Sequence, residues 1–181
     1  MNLPSWRRID FKRIRKDVRH GFKNLAEGGF KQIFNQIDQL GIKKGVDTMG
    51  IDKFINQCAL FAAGSGMITG VGGISTMLIG TPLDVVNLIT QQFRVTLAIS
   101  YYNTGKYKIS FEDFFKIVAA SVKADTKLAI SKNIMEEVAE KILMGLGAKA
   151  SRRLVPVVGG VIGGTVNYLF IKGVAKELKE K

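Results

Sequence analysis

Apolar residues recur along this chain at steps of three and four, and nowhere with the alternation of a β-strand. Phe11, Ile14, Val18, Phe22 and Leu25 make a stripe on an otherwise basic segment, and Gly28-Gly29 interrupts it. Phe30, Ile33, Phe34, Ile37 and Leu40 make a second, shorter stripe, with Gly41 expected to stop it. A third helix is expected from Asp47 or Thr48, with Ile51, Phe54, Ile55, Cys58 and Phe61 inward, running on into residues 64–80. Thr81 or Pro82 opens the next, which should reach Tyr102, with a turn over residues 103–108. Ser110 reads as an N-cap and Asp113 as its capping-box acid. Phe111, Phe114, Phe115, Val118, Ala119 and Val122 follow on one face. A helix over residues 126–146 should bury Ile134, Val138 and Ile142, expose Glu136, Glu137 and Glu140, and end at Gly145 and Gly147. The last is expected from Pro156 to Leu178. The fold class is therefore all-α, a compact bundle of about seven or eight helices, two of them glycine-rich, apolar and closely packed.

Those two helices come from uncharged segments, Phe54–Leu83 and Leu154–Ile171. Gly66 and Gly70 are four apart, with Gly73 beyond them. Gly159 and Gly163 repeat the spacing, as do Gly160 and Gly164. On a helix this stacks small residues on one face and lets a second helix approach backbone to backbone. Either a soluble core or a membrane-inserted hairpin would use that face. A phosphate loop is disfavoured, because Gly64-Ser65-Gly66 is followed by no Walker lysine. The second segment is near spanning length. Basic residues flank it on both sides (Lys149, Arg152 and Arg153; Lys172 and Lys176). A re-entrant or monotopic hairpin is favoured over a clean crossing, which should show asymmetric loop charge.

The helix after Pro82 is apolar nearly all round, so it should be buried. Asp84, Asn87, Gln91 and Arg94 nevertheless follow at steps of three, four and three, in a single polar stripe. Asp84 and Arg94 stand about 15 Å apart along the axis and cannot pair with each other. Each needs a partner elsewhere, and Asn167 is a candidate. The stripe is either a structural network or the wall of a ligand pocket. Structural networks are the commoner outcome.

Charge adds a separate signal. The net charge is +12, and half of it lies in residues 1–23, where eight Lys and Arg stand against Asp10 and Asp17. Trp6, Arg7, Arg8, Phe11, Lys12, Arg13, Ile14, Arg15, Lys16 and Arg19 give a basic face beside an aromatic-aliphatic one. That pattern suits a helix lying in an anionic bilayer interface. Nucleic acid is disfavoured as a partner, since no recognised binding motif accompanies the charge. Catalytic chemistry has little to work with. His20 and Cys58 are the only histidine and cysteine, and neither has a sequence neighbour that would activate it. No ligand spacing suggests a metal, and no cofactor is expected. One cysteine excludes an intramolecular disulfide. No apolar stretch follows the basic start within the first 50 residues, so no secretory signal is read there.

Three pieces of the chain, AAGSGMITGVGG, TPLDVVNLITQQFRVTLAISYYNTG and LVPVVGGVIGGTVNYLF, together resemble the EcsC family. Asp84, Arg94, Pro156, Gly159, Gly163 and Asn167 stand at the positions that carry the resemblance. Tyr102-Asn103 with Gly105 departs from the family's tight Tyr-Gly turn and makes a longer one. The resemblance implies a bacterial, membrane-associated protein on the cytoplasmic face, peripheral or monotopic. The family takes its name from an operon with an ABC transporter. It divides the chain into residues 1–27, a basic amphipathic helix outside the resemblance, and residues 28–181, an EcsC-like helical domain. The expected function is non-enzymatic binding of anionic lipid through the basic helix, with the glycine-rich hairpin either packed within the bundle or inserted into the bilayer. Two alternatives stand beside it. One is a soluble enzyme or small-ligand protein with a pocket at Asp84, Asn87, Gln91 and Arg94. The other is a partner-binding regulator of a membrane complex such as an ABC transporter.

Overall fold

The computed structural model describes residues 25–64, 83–122, 124, 131–151 and 159–180, without the side chains of residues 25, 27, 83–85, 143–151 and 159–166. Among the described residues there are seven α-helices and no strand. They are α1 (Phe30–Gln36), α2 (Gln39–Met49), α3 (Ile51–Ala63), α4 (Leu83–Thr104), α5 (Phe111–Ser121), α6 (Lys132–Ser151) and α7 (Gly159–Lys179). A wide turn over Leu25–Gly29 leads into α1, kinked at Gly28. The all-α class holds.

The first two helices divide differently from the hydrophobic pattern. α1 ends at Gln36, and Asp38 caps α2 by accepting the Gly41 N–H at 2.9 Å. Gly41 therefore belongs to the start of a helix and does not stop one. A Cβ there would lie 2.6 Å from Asp38 Oδ2, so the glycine leaves room for the cap. Leu40 points outward and is 46% exposed. Asp47 and Thr48, expected to open a helix, instead close α2. Gly50, at φ +80°, turns the chain into α3.

α3 lies against α4 and α7 and runs antiparallel to both. Asn87 and Arg94 of α4 meet Phe61 and Phe54, and Asn167 and Lys172 of α7 meet Ala62 and Asn56. In each case the numbering runs in opposite directions. Ile51, Phe54, Ile55, Cys58 and Ala62 fill the centre of this three-helix unit from α3. Phenylalanines attach the next layer. Phe30 of α1 and Phe114 of α5 stand 5.9 and 4.7 Å from Phe93 of α4, ring to ring, and Phe34 stands 4.8 Å from Phe114. Fully burying such rings is worth roughly 1.5–3 kcal/mol each.

α5 starts as its sequence implies, with Ser110 Oγ accepting the Asp113 N–H at 3.2 Å. Ile134, Val138 and Ile142 of α6 are buried. Glu136 and Glu137 are ion-paired to Lys132 and Lys141 on its outer side. Gly145 and Gly147 lie inside α6, which continues to Ser151. Glycine penalises a helix interior by about 1 kcal/mol and does not forbid it. Residues 65–82 of the first glycine-rich segment, with Gly66, Gly70 and Gly73, lie outside the described residues, as does Pro156. Gly159, Gly160, Gly163 and Gly164 lie in the first turns of α7, whose surroundings there are outside the description. No described helix is long and apolar enough to cross a membrane.

Candidate functional site: the polar stripe of the central helix

The stripe on α4 is built by one helix passing its polar side chains along the end of another. Arg94 Nη1 donates to Gln91 Oε1 at 3.3 Å. Gln91 Nε2 donates to Asn87 Oδ1 at 3.2 Å, and Asn87 Nδ2 donates to the Phe61 carbonyl at 2.9 Å. The donors all point the same way, from the guanidinium toward the C-terminal turn of α3. That turn exposes carbonyls with no partner inside their own helix and carries the negative end of its dipole. A chain of bonds aligned in one sense strengthens each member.

Asn167 of α7 serves the same turn. Its Nδ2 donates to the Ala62 carbonyl at 3.0 Å. Two successive carbonyls at the end of α3 are therefore satisfied by carboxamides from two different helices. The arrangement brings Asn87, Gln91, Arg94 and Asn167 to one place. Asp84 lies in the first turn of α4, and its side chain is outside the description. Arg94 has no carboxylate partner among the described residues. Its guanidinium instead stands over Phe54 and Phe61 of α3, 5.5 and 6.0 Å from the ring centroids. A cation over an aromatic face gains about 0.5–2 kcal/mol.

Cys58 lies under the same stripe. Burial pushes its thiol up to about 11, and the Arg94 charge only partly offsets this. At neutral pH it is a protonated, unreactive thiol. No group of histidine, cysteine or carboxylate side chains among the described residues is placed to hold a metal ion. Chemically, the stripe fastens α4 and α7 to the end of α3.

A second polar stripe runs along α4. Gln92, Thr96, Ser100 and Asn103 follow at steps of four, four and three, the same signal that marks the first. Gln92 and Thr96 are fully buried. Thr96 Oγ1 donates to the Gln92 carbonyl at 3.0 Å, while the Gln92 carboxamide has no partner among the described residues for either its nitrogen or its oxygen. Toward the C-terminal end of α4 this face opens into a groove of about 450 Å³. Thr96, Ser100 and Asn103 line one wall, and Ile117 and Ala120 of α5 with Leu178 of α7 line the other.

The basic segment carrying Trp6, Arg7, Arg8, Phe11, Lys12, Arg13, Ile14, Arg15, Lys16 and Arg19 lies outside the described residues, as does His20. Compared with family models, curated proteins and solved structures, the chain matches none.

Proposed function

We propose that this chain is a non-enzymatic, EcsC-like helical protein of the membrane surface, which binds anionic lipid through residues 1–23. The observation that carries the reading is the distribution of charge. Half of a net +12 is concentrated in that segment, beside the apolar stripe that begins at Phe11. Basic residues near an acidic leaflet contribute about 1 kcal/mol each. The remainder of the chain serves as the body that the anchor holds. Its first polar stripe supports this, since Asn87, Gln91 and Arg94 spend their hydrogen bonds on helix packing. The protonated thiol of Cys58 likewise offers no nucleophile. In this reading the glycine-rich segments, with Gly66 and Gly70 or Gly159 and Gly163 four apart, let the chain dip into the bilayer.

Vesicle co-sedimentation tests the proposal. Neutral and anionic vesicles are compared at low and high salt. The full chain is set against a variant with Arg13, Arg15, Lys16 and Arg19 replaced by Gln. Binding should require anionic lipid, weaken with salt and fall in the variant. Equal binding by the variant would move the contact away from the basic segment. Failure of the wild-type chain to bind any vesicle would overturn the membrane reading.

A further inference from the structure

We propose that the loop joining α4 to α5 is a second contact with anionic lipid, built into the folded body and separate from the basic N-terminal segment. The inference rests on the membrane reading above and adds a place and a chemistry to it.

The loop is held rather than loose. Gly105 turns the chain at φ +72°, and the Lys106 N–H donates to Thr104 Oγ1 at 3.2 Å. Gln39 of α2 clamps both backbone groups of Ile109. Its Oε1 accepts the Ile109 N–H at 3.0 Å, and its Nε2 donates to the Ile109 carbonyl at 3.4 Å. Ser110 then caps α5. This scaffold displays Tyr102, 63% exposed, and Tyr107, 41% exposed, with Lys106 and Lys108 exposed beside them.

The electrostatics favour an anionic partner. Residues 98–111 contain no Asp or Glu. Among the described residues, Lys106 and Lys108 are in no ion pair. The nearby acids are largely engaged. Asp113 meets the Ser110 hydroxyl at 2.9 Å and Lys116 at 3.7 Å, and Asp47 is held by Lys43 and the Tyr101 hydroxyl. Glu112 remains exposed, against the two lysines of the loop.

The neighbouring groove favours lipid over other polyanions. It opens beside the loop at Asn103 and Thr104, and Ile99, Ile117, Ala120 and Leu178 give it an apolar lining, with Lys116 also among the lining residues. An acyl chain would cover such a lining, which a phosphodiester backbone would not. Tyrosine, with an apolar ring and a polar tip, is suited to the bilayer–water boundary. Lysines on either side of Tyr107 would meet headgroup phosphates or carboxylates.

The test uses the full chain and vesicles of phosphatidylcholine with and without phosphatidylglycerol. Two variants, Lys106→Glu with Lys108→Glu and Tyr102→Ala with Tyr107→Ala, alter only exposed side chains. Unchanged thermal unfolding would establish that each is folded. The charge reversal should weaken binding to anionic vesicles by about tenfold or more at low salt and flatten its salt dependence. The tyrosine variant should weaken binding several-fold with its salt dependence kept. Wild-type affinity in both variants would overturn the inference. If the variant lacking Arg13, Arg15, Lys16 and Arg19 loses binding at the same time, the membrane reading survives that result. Loss in the loop variants with full binding by the N-terminal variant would make the loop the main contact. Weakened binding of both loop variants to single-stranded RNA, with vesicle binding untouched, would overturn lipid as the partner.

Discussion

Two carboxamides and one orphan decide most of what single substitutions should do here. Asn87→Ala removes the donor to the Phe61 carbonyl and the acceptor for Gln91 together. It should lower stability by about 1–3 kcal/mol in urea denaturation, the range for leaving a buried polar group unpaired. Asn167→Ala should cost less, because Asn167 is only partly buried. The two losses should not add, since both residues serve one turn of α3. Gln92 predicts the opposite sign. Its carboxamide is fully buried with no partner among the described residues, so Gln92→Met, similar in length and apolar, should raise stability by about 1–3 kcal/mol. Cys58 gives a pH dependence. Its folded thiol titrates higher than the unfolded one, so the folded chain binds more protons at alkaline pH. That contribution is complete below the ordinary thiol pKa, about 8.5, and is lost as pH rises toward the folded value. Cys58→Ala should flatten the alkaline fall in stability measured by urea titration. The stripe itself was legible, because polar residues at helical spacing stand out on an apolar helix. Its partners were not. They are backbone carbonyls of Phe61 and Ala62, and a carbonyl carries no mark in sequence.

The elements show where periodicity suffices. α4, α5 and the buried face of α6 follow from their stripes, since each presents several large apolar residues three or four apart. α2 was missed because Ile42 and Val46 are its only buried anchors, set among Lys43, Lys44 and Gly45. What makes it a helix is its cap at Asp38 and its packing, chiefly against α3 and α4. Gly45 measures that packing. A Cβ there would lie 2.7 Å from Phe54 Cε2. Gly45→Ala should therefore destabilise the chain by about 1–3 kcal/mol, despite the gain in helix propensity. A rise in Tm would show that Phe54 turns aside. Acid should loosen the same helix. The Lys43 ammonium and then the Tyr101 hydroxyl hold the Asp47 carboxyl below its usual range. The stabilisation is present above the ordinary carboxylate range and lost as pH falls through the lowered value. Asp52, held down by Lys179, behaves likewise between α3 and α7.

At the scale of the whole molecule, the described bundle has a buried three-helix centre, α3 with α4 and α7, and a phenylalanine layer that adds α1 and α5. Its surface chemistry gathers at the C-terminal end of α4, where the clamped loop, the groove and the exposed tyrosines lie together. The double capping of α3 bears on the order in which the chain becomes complete. Asn167 lies 105 residues after the carbonyl it serves. During synthesis from the N-terminus, Asn87 reaches the end of α3 early, while Ala62 waits until α7 has been made. A nascent chain stalled before Asn167 would hold α3 with one of these two carbonyls answered and the other open to water. The final turn of that helix thus marks whether α7 has been made, and its amide protection against hydrogen exchange in stalled ribosome complexes should step up only after α7 emerges.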